Sequence, residues 1–276
     1  MEKMKRAERM VAITQVLMLK PNVLTPLSLF AERFGTAKST ISEDLMVVKA
    51  SLLLSGQGHL ETISGASGGV RYIPEISPEA TKQFLSRLSE LLSDKERILA
   101  GGFLYMTDLL FDPSVLRPLG LIFAGAFRDK LPDVVVTIET KGIPLALVTA
   151  EALGLPMVVI RTGNKVTEGS SVSINYVSGS SRRIQTMSLS RRALEPKQRV
   201  LVIDDFMKAG GTALGIRSLM AEFEADVVGI GVLVEARMTE EPKLVEGYLS
   251  LLQLKELDYY TGKTSVISVL KAHSKK

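Results

Sequence analysis

The fold of this chain is decided by the segment Val200-Leu201-Val202-Ile203-Asp204-Asp205-Phe206-Met207-Lys208-Ala209-Gly210-Gly211-Thr212. Its first four residues are apolar and three of them are β-branched, which predicts a strand buried on both faces of a sheet. Such a strand brings Asp204 and Asp205 to its carboxyl end, where open α/β sheets bind ligands. Gly210 and Gly211 allow a close backbone approach, and a helix predicted from about residue 212 to 223 offers free N–H groups to an anion. The carboxylates suit a vicinal diol and the loop suits a phosphate, so the segment predicts a sugar-phosphate site.

The same segment resembles the phosphoribosyl-pyrophosphate (PRPP) motif of the type I phosphoribosyltransferases. The resemblance implies that the acidic pair holds the ribose hydroxyls and that the loop holds the 5′-phosphate. The expected PRPP-binding residues here are Asp204, Asp205, Phe206, Met207, Lys208, Ala209, Gly210, Gly211 and Thr212. The alternative is an ordinary strand, turn and helix with a surface Asp-Asp pair. Neither GxGxxG after a strand nor GxxxxGK[ST] occurs, so dinucleotide and P-loop sites are not predicted.

Composition restricts the class of protein. A chain of 276 residues allows one large or two modest domains, and 46% hydrophobic with 23% charged residues is ordinary for a soluble globular protein. The absence of cysteine excludes disulfides and thiolate chemistry and fits a reducing cytoplasm. With only two histidines and no apolar run of about eighteen residues, we expect no metal site, no histidine catalysis and no membrane partner. The net charge of +4 permits a nucleic-acid partner.

Residues 1–74 have the pattern of a separate small module. Helices are predicted at about 7–19, at 26–34 with Thr25 as N-cap, and at 38–53, and a β-hairpin is predicted at 60–63 and 70–73. Three helices, a glycine turn and a hairpin resemble a winged helix-turn-helix DNA-binding domain. A three-helix module that binds another protein is the alternative.

The winged-helix resemblance implies that the third helix enters the major groove of double-stranded DNA and that the hairpin loop is the wing. Nine Lys and Arg against six Asp and Glu give residues 1–74 a net charge of +3. The expected DNA-binding residues lie in the basic N-terminal segment, at the start of the third helix and in the wing: Lys3, Lys5, Arg6, Lys38, Ser39, Thr40, Ser42, Gly68, Gly69 and Arg71.

Residues 75–276 are predicted to form a second domain, because two prolines and a new N-cap interrupt the chain at 74–78. Helices predicted up to about residue 128 either form a dimer surface or flank a sheet. Buried strands then alternate with helices from residue 133, which predicts a mostly parallel central sheet. The expected fold class is α/β: an N-terminal winged helix-turn-helix plus a C-terminal type I phosphoribosyltransferase-like domain.

Two further segments carry expected ligand contacts. The turn after the strand at 134–138 corresponds to the pyrophosphate-binding turn of the phosphoribosyltransferases, which implies contacts from Thr140, Lys141 and Gly142. Between residues 161 and 199 the alternation stops, and basic residues far outnumber acidic ones across two β-like runs. We interpret this segment as a flexible hairpin that closes over a polyanion, with Arg161 and Lys165 reaching the ligand. A basic surface hairpin and an extension of the DNA-binding surface are the alternatives.

Lys208 argues against catalysis. In the enzymes that share the motif, this position commonly holds a small residue or an acid able to act as a base, whereas a lysine does not accept a proton near neutral pH. Many enzymes of this class also carry a second basic residue beside the position of Arg161, where this chain has Thr162. Binding is therefore expected without chemistry, and we predict no catalytic residues. An active purine phosphoribosyltransferase that carries a regulatory DNA-binding domain is the alternative.

The combination of the two domains resembles the purine operon repressors of Gram-positive bacteria. The strings that carry the resemblance are residues 37–44, 65–70, 165–170, 173–181 and 204–212, and the last includes Lys208. The resemblance implies a homodimeric, cytoplasmic repressor of purine biosynthesis genes, which binds an operator upstream of them and needs no cofactor. It implies that PRPP, with Mg²⁺, is the effector that lowers DNA affinity, and that a guanine nucleotide alarmone takes the same site.

Overall fold

The structure, a computed structural model, describes residues 4–65, 67–101, 103–163, 169–177, 183–237 and 243–270. It contains two compact units. The N-terminal unit comprises residues 1–77 with 151–154, and the C-terminal unit comprises residues 78–150 with 155–276. No helix in the described part of the chain is long and apolar enough to cross a membrane.

The N-terminal unit has the predicted order of three helices and a hairpin. The elements are α1 (Arg6–Met18), α2 (Leu27–Phe34), α3 (Lys38–Ser55), β1 (His59–Ile63) and β2 (Gly69–Ile73). Gly35 and Gly56, with φ of 57° and 65°, end α2 and α3 in the left-handed conformation that glycine adopts without strain. Ile13, Phe30 and Ile41, one from each helix, are fully buried in the core of this unit. The apolar spacing seen in the sequence therefore defines the inner face of α3, whereas two of the residues expected on the apolar side of the first helix, Val11 and Leu19, are 59% and 81% exposed.

The predicted N-cap at Thr25 is wrong. The N-cap position is occupied by Pro26, and no side chain caps α2. Thr25 instead exchanges two backbone hydrogen bonds with Val70, at 2.8 and 2.9 Å. The chain before α2 is thus an extended segment paired with the hairpin, and backbone pairing takes precedence over the local capping preference of threonine.

The C-terminal unit is built on one eight-stranded sheet. Its strands are β5 (Val134–Ile138), β6 (Met157–Thr162), β7 (Ser171–Val177), β8 (Ile184–Ser190), β9 (Arg199–Met207), β10 (Asp226–Ala236), β11 (Leu249–Asp258) and β12 (Lys263–Ser268), in the order β12-β11-β10-β9-β5-β6-β8-β7. The five central strands from β11 to β6 are parallel, and the three at the edges pair antiparallel. The prediction of a mostly parallel central sheet is confirmed.

Helices cover this sheet. They are α4 (Pro78–Leu92), α5 (Thr107–Leu110), α6 (Pro113–Phe127), α7 (Gly142–Leu153) and α8 (Gly211–Glu222), and a short ladder of β3 (Ile98–Leu99) and β4 (Phe103–Leu104) follows α4. Phe123 and Phe127 of α6 lie over Gly231 and Gly229 of β10, where a Cβ atom would come within 2.8 and 2.7 Å of the rings. Of the two roles left open for the helices before residue 128, α6 therefore flanks the sheet.

Strand β9 is longer than predicted and lies at the point where the sheet changes direction. After β5 the chain continues to β6 on one side of the β5–β9 pair, and after β9 it continues to β10 on the other side, so the strand order reverses between β5 and β9. Pairing of β9 with β5 ends at Val202, whereas pairing with β10 continues to Met207. A crevice therefore opens beside the last residues of β9, which is where ligands bind in open α/β sheets.

The described part of the basic hairpin belongs to the sheet. β7 and β8 pair antiparallel along their whole length, and β8 continues the sheet beyond β6 through Arg161 and Thr162. Tyr176 and Met187 are buried in the core of the unit. The inner faces of these two strands pack against α8. The flexibility expected for residues 161–199 stays a prediction. Lys165 lies outside the described residues.

Candidate functional site: a carboxylate pair and an anion loop

The acidic pair lies at the open end of β9. Asp204 and Asp205 are partly buried, and the Asp205 N–H donates to Asp204 Oδ1 at 2.9 Å. Burial raises the pKa of Asp204 well above its usual value, and the adjacent Asp205 carboxylate raises it further. Burial also raises the pKa of Asp205, although the charge of Lys141 opposes this shift. Hydroxyl donors on a ligand would favour the charged pair, so the site is suited to a diol.

Gly142 explains how close the acidic pair comes to the start of α7. A Cβ atom on Gly142 would lie 2.5 Å from Thr137 Oγ1 and 2.8 Å from Asp204 Oδ1. Any larger residue would displace the Asp204 carboxylate or the first turn of α7. The close approach that glycine permits at position 142 is therefore an approach to the Asp204 carboxylate of the protein itself.

The loop after β9 has the geometry of an anion site. Gly210 is the N-cap of α8 with a φ of 90°, a conformation that favours glycine, and α8 begins at Gly211. The first N–H groups of a helix have no partner within it, and the helix dipole adds positive potential there. Lys208, also in this loop, is exposed. The loop therefore offers both backbone donors and a cation to an anionic group.

The hairpin closes the site beside α8. A Cβ atom on Gly215 would lie 2.7 Å from Met187 Cε and 2.9 Å from Tyr176 Cβ, so α8 lies directly on β7 and β8. Burial raises the pKa of Tyr176, while a hydrogen bond with Thr212 lowers it. The Tyr176 hydroxyl also donates to Gln185 Oε1 at 2.8 Å. The described strands thus hold the start of α8 in place.

The turn after β5 forms the opposite wall. The Glu139–Thr140 peptide bond is cis. The Glu139 carboxylate accepts hydrogen bonds from Thr162 N and Thr162 Oγ1, both at 2.6 Å, and from Arg161 at 3.3 Å. Burial would raise the pKa of Glu139, but these donors outweigh it and hold the pKa below its usual value. Arg161, an expected PRPP ligand, therefore donates a hydrogen bond to Glu139, the first residue of this turn.

These elements surround one cavity of about 360 Å³, within the usual size range of small-molecule sites. Most of the expected ligand residues line it: Thr140, Lys141, Asp204, Asp205, Phe206, Met207, Lys208, Gly210, Gly211 and Thr212. Ala209 lies in the loop and Gly142 lies behind Asp204, but neither is part of the lining, and the same is true of Arg161. Lys165 was an expected contact that lies outside the described residues.

The sequence analysis missed several residues that line the cavity. The polar ones are Glu139, Thr162, Tyr176 and Gln185, and the apolar ones are Ile138, Val202, Ala213, Ile216, Ile230 and Val232. Glu139 and Thr162 could have been found, since Glu139 follows directly on the apolar run of β5 and Thr162 comes two residues after that of β6. Tyr176 and Gln185 gave no such signal, because only the packing of the hairpin against α8 brings them to the cavity.

The N-terminal unit presents the expected DNA-contacting face of α3. Lys38, Ser39 and Ser42 are exposed and Thr40 is partly exposed, while the opposite side of α3 enters the core. Lys5 is exposed as well, and Lys3 lies outside the described residues. The start of α3 is therefore open to a partner.

The remaining expected DNA contacts have partners or structural roles. Arg6 donates to Asp44 at 3.0 Å and keeps 58% of its side chain exposed, and Arg71 donates to Glu61 across the hairpin at 2.7 Å. Gly69 is buried, and its Cβ atom would lie 2.5 Å from the Thr25 carbonyl oxygen. At Gly68 a Cβ atom would lie 2.3 Å from the Ile63 carbonyl oxygen. Both glycines thus permit close backbone contacts within the unit.

Comparison with known proteins agrees with this division. Residues 5–74 match the family described as the bacterial purine repressor N-terminal domain, and residues 112–255 match the phosphoribosyl transferase domain. The purine biosynthesis transcriptional repressor PurR of Bacillus subtilis is 51% identical over 256 residues, which covers 93% of this chain and 90% of that protein. The chain belongs to the PurR family of transcriptional regulators of purine biosynthesis.

PurR proteins carry more than one description. The PurR of Lactococcus lactis subsp. lactis is called a purine biosynthesis transcriptional activator, and it is 43% identical over 92% of this chain and 94% of its own length. Among solved structures, the adenine phosphoribosyltransferase of Rhodothermus marinus superposes with a TM-score of 0.51 at 24% identity. That match covers 62% of this chain and 99% of the enzyme, and it shows the fold of the C-terminal unit alone.

Proposed function

We propose that this PurR-family chain is a DNA-binding repressor of purine biosynthesis genes whose DNA affinity is lowered by PRPP. The observation that carries the proposal is the cavity in which a carboxylate pair, a lysine turn and a helix N-terminus converge. A diol, a pyrophosphate and a phosphate are the three polar parts of PRPP, and each has a matching group in the cavity.

In this assignment, Asp204 and Asp205 accept hydrogen bonds from the ribose hydroxyls. The loop of residues 208–212 at the start of α8 binds the 5′-phosphate through backbone N–H groups. Thr140 and Lys141 bind the pyrophosphate, and Arg161 and Lys165 remain candidates for the same group. Ribose hydroxyls that donate to the pair would favour its ionised form.

Mg²⁺ is proposed to enter with the pyrophosphate. The described residues hold no group of three or more acidic, cysteine or histidine side chains that could bind a metal alone. Two carboxylates beside a polyphosphate nevertheless fit Mg²⁺, which is usually bound by one or two carboxylates, phosphate oxygens and water. Mg²⁺ would neutralise part of the effector's charge, and Asp204 and Asp205 are the residues placed to orient it.

The effect on DNA follows from linkage. PRPP brings several negative charges to the C-terminal unit, which lowers the affinity of the protein for the DNA polyanion. Reciprocity requires DNA to weaken PRPP binding by the same factor, and couplings of this kind are typically about 5–150-fold. We further propose that a homodimer binds the operator, in the cytoplasm, and that a guanine nucleotide alarmone competes with PRPP for the cavity.

Repression is favoured over activation because the relative described as a repressor is 51% identical and the one described as an activator 43%. A gel-shift titration tests the whole proposal. The protein is bound to DNA from upstream of purine biosynthesis genes, and PRPP with Mg²⁺ is added. We expect release of the DNA at increasing PRPP. DNA binding that ignores PRPP would overturn the effector assignment while leaving the DNA-binding assignment intact.

An active purine phosphoribosyltransferase with a regulatory DNA-binding unit is the second candidate, because residues 112–255 match the transferase domain. Lys208 supports the non-catalytic assignment, since an exposed ammonium group beside the cavity suits a phosphate better than it suits proton removal from a purine. Incubation with PRPP, Mg²⁺ and each purine base separates the two candidates. Formation of nucleotide at multiple turnovers would favour the enzyme.

A further inference from the structure

The loop that binds the proposed 5′-phosphate rests on a segment that follows β10, residues 243–248, which we call the support segment. Nothing in the PRPP motif includes these residues, which lie about thirty positions later in the chain. The support segment contacts the loop by hydrogen bonds, by apolar packing and through α8. All of these contacts lie on the face of the loop that packs against the support segment.

Lys243 makes the polar contact. Its ammonium group donates to the backbone carbonyl of Lys208, in the loop, and to the carbonyl of Ala236, at the end of β10. The side chain is partly buried, and burial lowers the pKa of Lys243 while the nearby Glu235 carboxylate raises it. One cation therefore joins the loop to the last residue of a central strand.

Leu244 and Val245 complete the contact. Leu244 N donates to the Ala209 carbonyl at 2.9 Å. Val245 is 3% exposed, and its Cγ2 would lie 3.1 Å from a Cβ atom placed on Gly210. From α8, Arg217 donates to the Glu246 carbonyl at 3.0 Å. The support segment thus fits against three successive loop residues.

Glu235 anchors the same region to the sheet. It is 4% exposed and accepts hydrogen bonds from Tyr248 and, at 2.9 Å, from Gln253 of β11. Burial and the Glu235 carboxylate raise the pKa of Tyr248 to about 12, so the phenol stays a donor throughout the physiological range. The support segment is therefore attached to β10 at both ends.

Peptide planarity turns these contacts into a statement about the anion site. The carbonyl of one residue and the N–H of the next point in opposite directions across a trans peptide. Because the Lys208 and Ala209 carbonyls are both held by the support segment, the N–H groups of Ala209 and Gly210 point away from it. Two successive N–H groups on one side of a loop make a concave anion site.

We propose that Lys243 is the positioning residue of the effector loop, and that it orients the loop N–H groups toward the 5′-phosphate of the ligand. This inference rests on the proposed function only for the identity of the ligand. The orientation of the loop itself is a property of the protein without ligand, and it can be measured as such.

The test compares Lys243→Met, which keeps the aliphatic stem and removes the donors, with Lys243→Arg, which keeps a cation. Lys255→Met on the exposed side of β11 is the matched control for the chemical change. Hydrogen exchange of the Leu244 amide, which donates to the Ala209 carbonyl of the loop, is measured without ligand. We expect roughly tenfold faster exchange in Lys243→Met, little change in Lys243→Arg and none in Lys255→Met.

Calorimetric titrations give the second readout. Affinity for ribose 5-phosphate and PRPP should fall on the order of tenfold in Lys243→Met, the cost of ordering about one loop residue on binding. Affinity for inorganic pyrophosphate, assigned to the turn at Lys141, should hold, as should DNA affinity without effector. A general loss of structure would instead lower all four affinities together.

The outcomes separate the two proposals. If the wild-type protein does not bind PRPP, the proposed function fails, and the exchange rate of the Leu244 amide still decides the role of Lys243. If exchange of the Leu244 amide in Lys243→Met equals that of the wild type, or if pyrophosphate affinity falls as much as ribose 5-phosphate affinity, Lys243 is not the positioning residue.

Discussion

Asp44 in the N-terminal unit is fully buried and Asp204 in the C-terminal unit is partly buried, yet their pKa values move in opposite directions. Burial alone would raise the pKa of Asp44, but hydrogen bonds from Arg9 and Arg6 outweigh it and hold the pKa below its usual value. The pKa of Asp204 is raised by burial and by its acidic neighbour. Asp44 thus joins α1 to α3 in the N-terminal unit, whereas Asp204 faces a second acid in the C-terminal unit.

The difference fits a structural role for Asp44 and the ligand-binding role proposed for Asp204. With a lowered pKa, Asp44 contributes stability above its unfolded pKa of 3.8 and loses it as the pH falls through the folded value. With a raised pKa, Asp204 favours the folded protein at low pH and loses that contribution as the pH rises from 3.8 through its folded value. An unfavourable pair of this kind is expected where a ligand supplies the missing donors.

The largest expected effect is on Asp44. Asp44→Ala leaves the nearly buried Arg9 without its 2.6 Å partner, and breaking a buried ion pair costs about 3–5 kcal/mol. Hydrogen exchange should show loss of protection in α1 and α3, while β5 and β9 of the other unit keep theirs. Arg6→Ala is the control, since this arginine is 58% exposed and its loss should cost under about 1 kcal/mol. Equal effects of the two variants would contradict the assignment.

The next effect concerns the acidic pair. Asp204→Ala with Asp205→Ala removes the acceptors assigned to two charged hydrogen bonds, so PRPP affinity should fall roughly 100-fold or more. DNA affinity without effector should stay unchanged, and PRPP should no longer release DNA in a gel shift. Asp226→Ala, at the exposed start of β10, is the matched control. A double variant that still releases its DNA on adding PRPP would place the sensor elsewhere.

A variant at Lys38 should have the converse effect, on DNA binding and not on PRPP binding. Lys38→Ala removes an exposed cation from the start of α3, so DNA affinity should fall and its dependence on log salt should flatten by about one unit. PRPP affinity should not change. Lys82→Ala, an exposed lysine on α4, carries the same charge change in the other unit and should leave the salt slope as it is. A slope that Lys38→Ala leaves unchanged removes this residue from the phosphate contacts.

The smallest expected effect is a gain in thermal stability. Asp204→Asn removes the charge that the folded protein disfavours, so the ligand-free protein at neutral pH should melt about 2–4 °C higher, the shift expected for about 1 kcal/mol in a unit of this size. The gain should shrink as the pH is lowered toward 3.8, because the wild-type carboxyl is then protonated as well. Thermal melts from pH 4 to 8 give the sign directly, and a variant that melts lower at every pH contradicts it.

Much of the candidate site could be predicted because its parts are local in sequence. The run from Val200 to Thr212 contains the strand, the acids, the glycines and the helix start, and strand burial with glycine conformation dictates each of these. The turn at Thr140 was found from its correspondence to the pyrophosphate-binding turn of the phosphoribosyltransferases. Tyr176 and Gln185 were not, since they reach the cavity only through pairing of β7 with β8 and packing on α8.

Errors in the sequence analysis have the same origin. Thr25 has the chemistry of an N-cap, but its backbone is paired with Val70, forty-five residues later. Arg161 has the charge of a phosphate ligand, but Glu139 accepts one of its hydrogen bonds. The charge and propensity of a residue are visible in the sequence, whereas the partner that uses them is chosen by the fold.

By itself, the sequence determined the order of the elements, the parallel strands and the acids and glycines at the end of β9, because periodicity and backbone preference are local properties. The tertiary structure alone decided which groups meet. It placed Gly142 against Asp204, Lys243 beneath the loop and two arginines on Asp44, since these contacts join residues that lie 35 or more positions apart in the chain. The pKa shifts depend on those contacts, and so does the contrast between Asp44, which joins two helices, and Asp204, which faces a second acid at the end of β9.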